Sequence, residues 1–390
     1  MNWYVVDTTL RDGEQAPGVV FRPADRVAIA VALAAAGVAE IEVGIPAMGA
    51  AAQRDIGHIR DAFADRDREA PRLTAWCRAR VDDLAAAADC GLRAAHCGLP
   101  VSPIQLGALR HDQEWCRQRL ERCLAFARRH FAFVSIGLQD VARTPVAVLH
   151  ELASVAAAHG ADRIRLADSV GAWLPWQVPP LIAGLREVAG DCAIGVHTHN
   201  DLGLATANAL AALAAGADCC DVTVNGLGER AGNAALAEVV CAARQAGLDT
   251  GGVSTDALTP LARQVAAASD RPLPPQQPLV GGNCFRHESG IHVQSQLVDR
   301  RAYELIEPEL VGQCSSEHLI GLHSGGQALI AALAAIDISC QPAETAILLP
   351  RVRALAQRLR RDLHVDELRQ LHHRLIAETR SVPERTLSCR

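Results

Sequence analysis

Short apolar runs of five to seven residues alternate eight times with longer Ala- and Leu-rich amphipathic runs in this 390-residue chain, and this alternation constrains the fold more than any single motif does. Strands are expected at Trp3–Thr8, Glu40–Gly44, Leu73–Cys77, Ala94–Gly98, Phe133–Leu138, Arg163–Ala167, Ala193–His199 and Cys219–Val224. Helical stretches follow each strand, among them Pro23–Ala36, which opens on a proline, and Asn233–Ala246, which Gly247 follows as a C-terminal stop. Eight strand–helix units in about 250 residues are the size of a closed parallel barrel, whereas a doubly wound sheet usually has five to seven strands and a Gly-rich first turn. Aromatic residues make up only 3% of a chain that is 49% hydrophobic, so the apolar mass is mainly Ala, Val, Leu and Ile, which suits helices packed on a parallel sheet. The expected class is α/β: a (β/α)₈ TIM barrel over residues 1–255, followed by a smaller, mainly helical region over 270–390. The Pro- and Gln-rich stretch Asp270–Pro278 reads as the linker.

A net charge of −6 gives no sign of a nucleic-acid or anionic-membrane surface, so small molecules are the expected partners. No apolar run approaches the roughly 20 residues of a membrane span, and the first residues lack a basic-then-apolar leader. A soluble, cytoplasmic protein is expected. Thirteen cysteines without CxxC pairing read as reduced thiols used as small core residues. The chain contains no lysine at all, which excludes Schiff-base aldolases, pyridoxal-phosphate enzymes, Walker-A loops and carbamylated-lysine metal bridges.

In a barrel of this kind chemistry sits at the C-terminal ends of the strands. DTTLRDGEQ (7–15) runs off the first strand and offers Arg11, a cationic fork, beside Asp12, a hard oxygen ligand; alone it also reads as a charged loop. HTHND (197–201) ends the seventh strand, where period-two alternation puts His197 and His199 on one face. Two imidazoles and a carboxylate from a nearby strand form a facial set for one divalent metal ion, with positions left for a bidentate substrate. NGLGERAGN (225–233) follows the eighth strand: Asn233 either caps the next helix or reaches the metal, and Glu229 and Arg230 read as a mutual brace. Arg78, after the third strand, either meets a distal substrate carboxylate or pairs on the surface.

Taken in order, DTTLRDGEQ, EVGIPAMG, HTHNDLG, NGLGERAGN, HESGIH and GLHSGG resemble the Claisen-condensing branch of the DRE-TIM metallolyases, the isopropylmalate and homocitrate synthase family, and within it most of all the homocitrate synthases of nitrogen fixation. The resemblance implies condensation of acetyl-CoA with 2-oxoglutarate to homocitrate and CoA, or with another 2-oxo acid in the isopropylmalate and citramalate synthases. It implies metal ligation by Asp12, His197 and His199, with Asn233 weaker or acting through water; the ion is Mn, Zn, Fe or Mg. Arg11 then polarises the keto oxygen and Ser169 contacts the substrate carboxylate; Gln15 and Arg78 are the further candidate substrate contacts. His292 and Tyr303 match residues delivered across a homodimer interface into the neighbouring barrel, with His292 as the base.

Three places depart from the family. Gln139 stands where an acid is usual and cannot exchange a proton; Leu322 and Gly326 replace two cations in GLHSGG; Pro103 follows Ser102 where an acidic residue is common. These departures leave open a second class of function, a diverged paralogue that binds the 2-oxo acid without turnover.

Overall fold

The computed structural model describes residues 3–64 and 70–380 and divides into two compact units, Met1–Val280 and Gly281–Arg390. The first is a closed barrel of eight parallel strands in the order of the chain: β1 Tyr4–Asp7, β2 Glu40–Gly44, β3 Arg72–Arg78, β4 Ala94–Pro100, β5 Phe133–Gln139, β6 Arg163–Asp168, β7 Ala193–Thr198 and β8 Cys219–Val222. β1 closes the ring on β8 with Tyr4 opposite Cys219 and Asp7 opposite Val222. Helices α1 Pro23–Ala35, α2 Ala50–Asp61, α3 Val81–Asp89, α4 Pro103–Leu109, α5 Gln113–His130, α6 Val146–Ala158, α7 Val178–Ala189, α8 Ala205–Ala214 and α9 Leu236–Gln245 alternate with the strands. A further helix, α10 Leu258–Ala268, buries Leu258, Leu261, Ala262 and Val265 and belongs to this unit.

Local chemistry sets these boundaries. α5 begins where the Asp112 carboxylate accepts the Trp115 N–H at 2.8 Å, and it buries Cys116, Leu120, Cys123, Leu124 and Ala127, spaced along one helical face. Pro103 occupies the first position of α4 behind the N-cap Ser102, where a missing N–H costs nothing. α9 starts at Leu236, three residues later than expected, because Asn233 is still held in a bridge to His199. Asn233 is therefore not a helix cap.

The barrel interior is not apolar. Alternate residues of β2 and β6 point inward, and Arg163 grips Glu40 through two nitrogens at 2.8 Å each, assisted by Arg72 and Thr74. One layer higher, Arg165 pairs with both Glu42 and Asp221. Buried charges of this kind persist only when fully paired. Asp7, at the end of β1, has no cation of its own; burial pushes its carboxyl up to about 7 against the hydrogen bonds from Thr9. Because its folded value lies above the ordinary 3.8, its contribution to stability is fully present below that pH and is lost as pH rises through about 7. Asp7→Asn should therefore gain on the parent by about 2–4 kcal/mol between pH 4 and pH 8. Thermal unfolding of both proteins across that range checks this, and a pH-independent difference would refute it.

The second unit holds a two-stranded parallel pair, β9 Arg286–His287 and β10 Glu317–His318, with helices α11 Gly290–Gln296, α12 Gly326–Ala334, α13 Pro342–Leu359 and α14 Val365–Arg380. HESGIH and GLHSGG meet here, and a side chain on Gly290 would press on the backbone of Gly325 at 2.6 Å. No described helix is long and apolar enough to cross a membrane.

Candidate active site

The loop after β1 folds back on itself: Thr9 donates to Asp7, and the N–H groups of Arg11 and Gly13 both reach Thr8 O at 3.0 Å. This places Arg11 and Asp12, both buried, over the barrel mouth. His197 is the last residue but one of β7, on the same face as His199 just beyond the strand. Their Nε2 atoms stand 3.0 and 3.2 Å from Asp12 Oδ2. On the far side of each ring, His197 Nδ1 meets Asp221 Oδ2 at 2.9 Å and His199 Nδ1 meets the backbone oxygen of Asp168 at 3.1 Å. Acceptors at both Nδ1 positions assign the ring protons there and turn two nitrogen lone pairs toward the Asp12 carboxylate.

That arrangement fits a divalent cation. Asp12 Oδ2, His199 Nε2 and Asn233 Oδ1 are buried without a hydrogen-bond partner. Asn233 donates through its Nδ2 to Leu227 O at 3.0 Å, which leaves its oxygen free. The turn that carries it depends on Gly232, at φ +87°, where a side chain would collide with the Gly226 oxygen. Within this network four guanidinium groups, Arg11, Arg72, Arg163 and Arg165, face four carboxylates, Asp12, Glu40, Glu42 and Asp221. Burial raises the Asp12 carboxyl, but Arg11 and the two imidazoles outweigh it and hold the group well below its ordinary range. Burial lowers His197, and its bonds to Asp12 and Asp221 more than reverse that, leaving it raised. A proton on His197 thus occupies the electrostatic place a cation would take, so metal binding should weaken on acidification. Asp221→Asn should weaken it about 10–100-fold. Competition with a chelator measures this, and unchanged affinity would remove Asp221 from the site.

Arg11 donates from Nε to Glu42 Oε2 at 2.6 Å, approaches Asp12 at 3.3 Å and lies over Trp76 with 5.6 Å to the ring centre. A cavity of about 430 Å³ opens above these groups, lined also by Gln15, His96, Gln139 and Ser169. Ser169 Oγ accepts the Asp140 N–H at 2.9 Å, fixing the hydroxyl at the rim. Trp76, Gln105 and Gln139 also line a second cavity of about 820 Å³, together with Arg78, Arg119 and Arg122.

Other residues lie elsewhere. Arg78 is spent on Asp83, at 2.8 and 3.0 Å, and lines the larger cavity only. Arg230 does pair with Glu229, loosely at 3.5 Å, but its shorter bonds go to Asp201 at 2.7 Å and to Ser169 O at 2.9 Å. His292 and Tyr303 stack on each other in the second unit, ring centres 3.9 Å apart, and both are exposed there. Glu42, His96, Arg165 and Asp221 were not singled out from the sequence. Their signal was present, a polar side chain on the inward period of an otherwise apolar strand.

Residues 2–265 match the protein family described as HMGL-like. The chain belongs to the HMGL-like family. Residues 279–360 match a second, described as homocitrate synthase post-HMGL domain-like. Among its relatives, homocitrate synthase 1 of Nostoc sp. is 42% identical over 94% of this chain and 95% of its own length. The 2-isopropylmalate synthase 2 of Caldanaerobacter subterraneus subsp. tengcongensis is 40% identical over 96% of both chains. The hydroxymethylglutaryl-CoA lyase of Pseudomonas aeruginosa shares the fold of this HMGL-like barrel, with a TM-score of 0.62 and 22% identity over 70% of this chain and 96% of that one.

Proposed function

We propose that this HMGL-like protein is a metal-dependent acyltransferase that condenses acetyl-CoA with 2-oxoglutarate to give homocitrate and CoA. The observation that carries the reading is the convergence of Asp12, His197 and His199 beside Arg11, at the floor of a cavity large enough for a small 2-oxo acid. A divalent ion held there, with Asn233 as a further or water-mediated ligand, would act as a Lewis acid toward the keto and carboxylate oxygens of that substrate. Glu42 fixes the Arg11 guanidinium so that its remaining N–H groups face the charge that grows on the keto oxygen during attack. Gln15 and the Ser169 hydroxyl orient the substrate at the rim. The larger cavity, with Arg119 and Arg122 on its wall, suits the anionic arm of the coenzyme.

Carbon–carbon bond formation requires that the acetyl methyl group lose a proton. Gln139 cannot take it; the base is the residue that the family resemblance implies, His292, with Tyr303 stacked against it. The methyl carbon then bonds to the keto carbon, and water cleaves the thioester to release CoA. His292 and Tyr303 are exposed on their own unit, which supports delivery into the barrel of a second copy in a homodimer.

Choice of 2-oxoglutarate rests on the homocitrate synthase relatives and on the resemblance to the nitrogen-fixation branch. The 40% identical 2-isopropylmalate synthase supports a second reading in which 2-oxoisovalerate is the acceptor. Thiol release from acetyl-CoA in the presence of 2-oxoglutarate, 2-oxoisovalerate, pyruvate or oxaloacetate decides between them. Fastest release is expected with 2-oxoglutarate. No release with any acceptor from metal-loaded protein would leave a non-catalytic 2-oxo-acid-binding paralogue.

A further inference from the structure

In the second unit, α12, α13 and α14 pack around Leu329, Leu333, Leu348, Val352, Leu368 and Leu375. Among the polar side chains buried in this unit, His372 stands out. His372 lies on the same stripe of α14 as Leu368 and Leu375, is only 7% exposed, and has no hydrogen-bond partner at either Nδ1 or Nε2. Buried imidazoles normally satisfy at least one nitrogen, and a packing role alone would be served better by leucine. What faces His372 is chemically specific. Cys340, 8% exposed, sits on the turn before α13, and Glu344 sits in the first turn of that helix. The ligand atoms of Cys340, Glu344 and His372 all lie within 4.8 Å of one another.

We propose that Cys340, Glu344 and His372 form a second metal site, selective for a zinc-class divalent cation and structural in role. Zinc bonds of about 2.0–2.3 Å to nitrogen, oxygen and sulfur place tetrahedral ligand atoms about 3.3–3.8 Å apart, so the group needs only side-chain adjustment to close. Thiolate and carboxylate together cancel the charge of the ion, as a site against an apolar core requires. Glu344 keeps one oxygen on the Gln341 N–H at 2.8 Å, capping α13, and has the other for the metal. The Cys340 thiol meets only Thr345 Oγ1, at 3.3 Å, and the Gln341 carbonyl, at 3.8 Å; it gives up its proton to solvent on binding. Glu344 is only half-buried, which puts the fourth, water position on the solvent side. The ion would staple α14 to the start of α13. It differs in kind from the barrel set, whose ligands contain no sulfur.

That difference supplies the test. Full-length protein stripped with a chelator is titrated with Co²⁺, whose bond to a thiolate gives a sulfur-to-metal charge-transfer band in the near ultraviolet. The band is expected in the parent and in Asp12→Asn, where the barrel set is broken, and zinc should displace it. It should vanish in Cys340→Ser and in His372→Phe, the latter restoring an apolar stripe so that the unit folds without the ion. In the Asp12→Asn background zinc should raise Tm, and His372→Phe should remove that rise. Absence of the band from the parent, or a band equally strong in Cys340→Ser, would overturn the proposal. Neither result depends on whether the barrel condenses any substrate.

Discussion

Asp12→Asn should lower thiol release about 10⁴-fold while leaving the barrel folded, because it removes about 5 kcal/mol of transition-state stabilisation that depends on the bound ion. Asparagine keeps the shape of the side chain and removes its charge. The carboxylate that both imidazoles face is then neutral, and the one anionic ligand beside the Arg11 guanidinium is gone. Arg11 keeps its 2.6 Å bond to Glu42, so the cation left behind is not stranded. Metal content measured by elemental analysis should fall by the barrel's one ion per chain, whereas circular dichroism should not change. Turnover within tenfold of the parent would show that Asp12 does not hold the metal.

Mixing two inactive proteins should restore activity. If His292 works in the barrel of a second copy, Asp12→Asn lacks the metal in its own barrel but still donates an intact His292, and His292→Ala does the reverse. Random exchange of subunits makes half the dimers mixed, each with one complete site of two, so about a quarter of parental activity should return. Each variant alone should stay below about 1% of the parent, given the 10²–10⁴-fold typical of losing a general base. Exchange is promoted by dilution and reconcentration and followed by thiol release. No recovery after proven exchange would place His292 in its own barrel or outside the chemistry.

Much of the architecture was legible because its signals are local. Short apolar runs located all eight strands, and the C-terminal strand ends brought Asp12, His197 and His199 onto one point. Interior charge was harder to read. Glu42 and Arg165 lie 123 residues apart in the chain, and only closure of the ring makes them partners. The same holds for Asp221 behind His197: on its own strand it is one acid among cysteines and valine, and its purpose depends on β7 and β8 standing side by side. Asn233 was ambiguous for the opposite reason, since a cap and a ligand use the same oxygen, and the later start of α9 removes the cap. Arg78 was undecided for want of a partner; Asp83, five residues on, supplies one.

The double engagement of Asp221, with Arg165 on one side and His197 on the other, links assembly to loading. Before β8 docks, the His197 ring is free to spin and nothing fixes which nitrogen carries its proton. Uptake of a cation by these residues should therefore follow the pairing of β7 with β8, and a stopped-flow metal indicator would time that step during refolding.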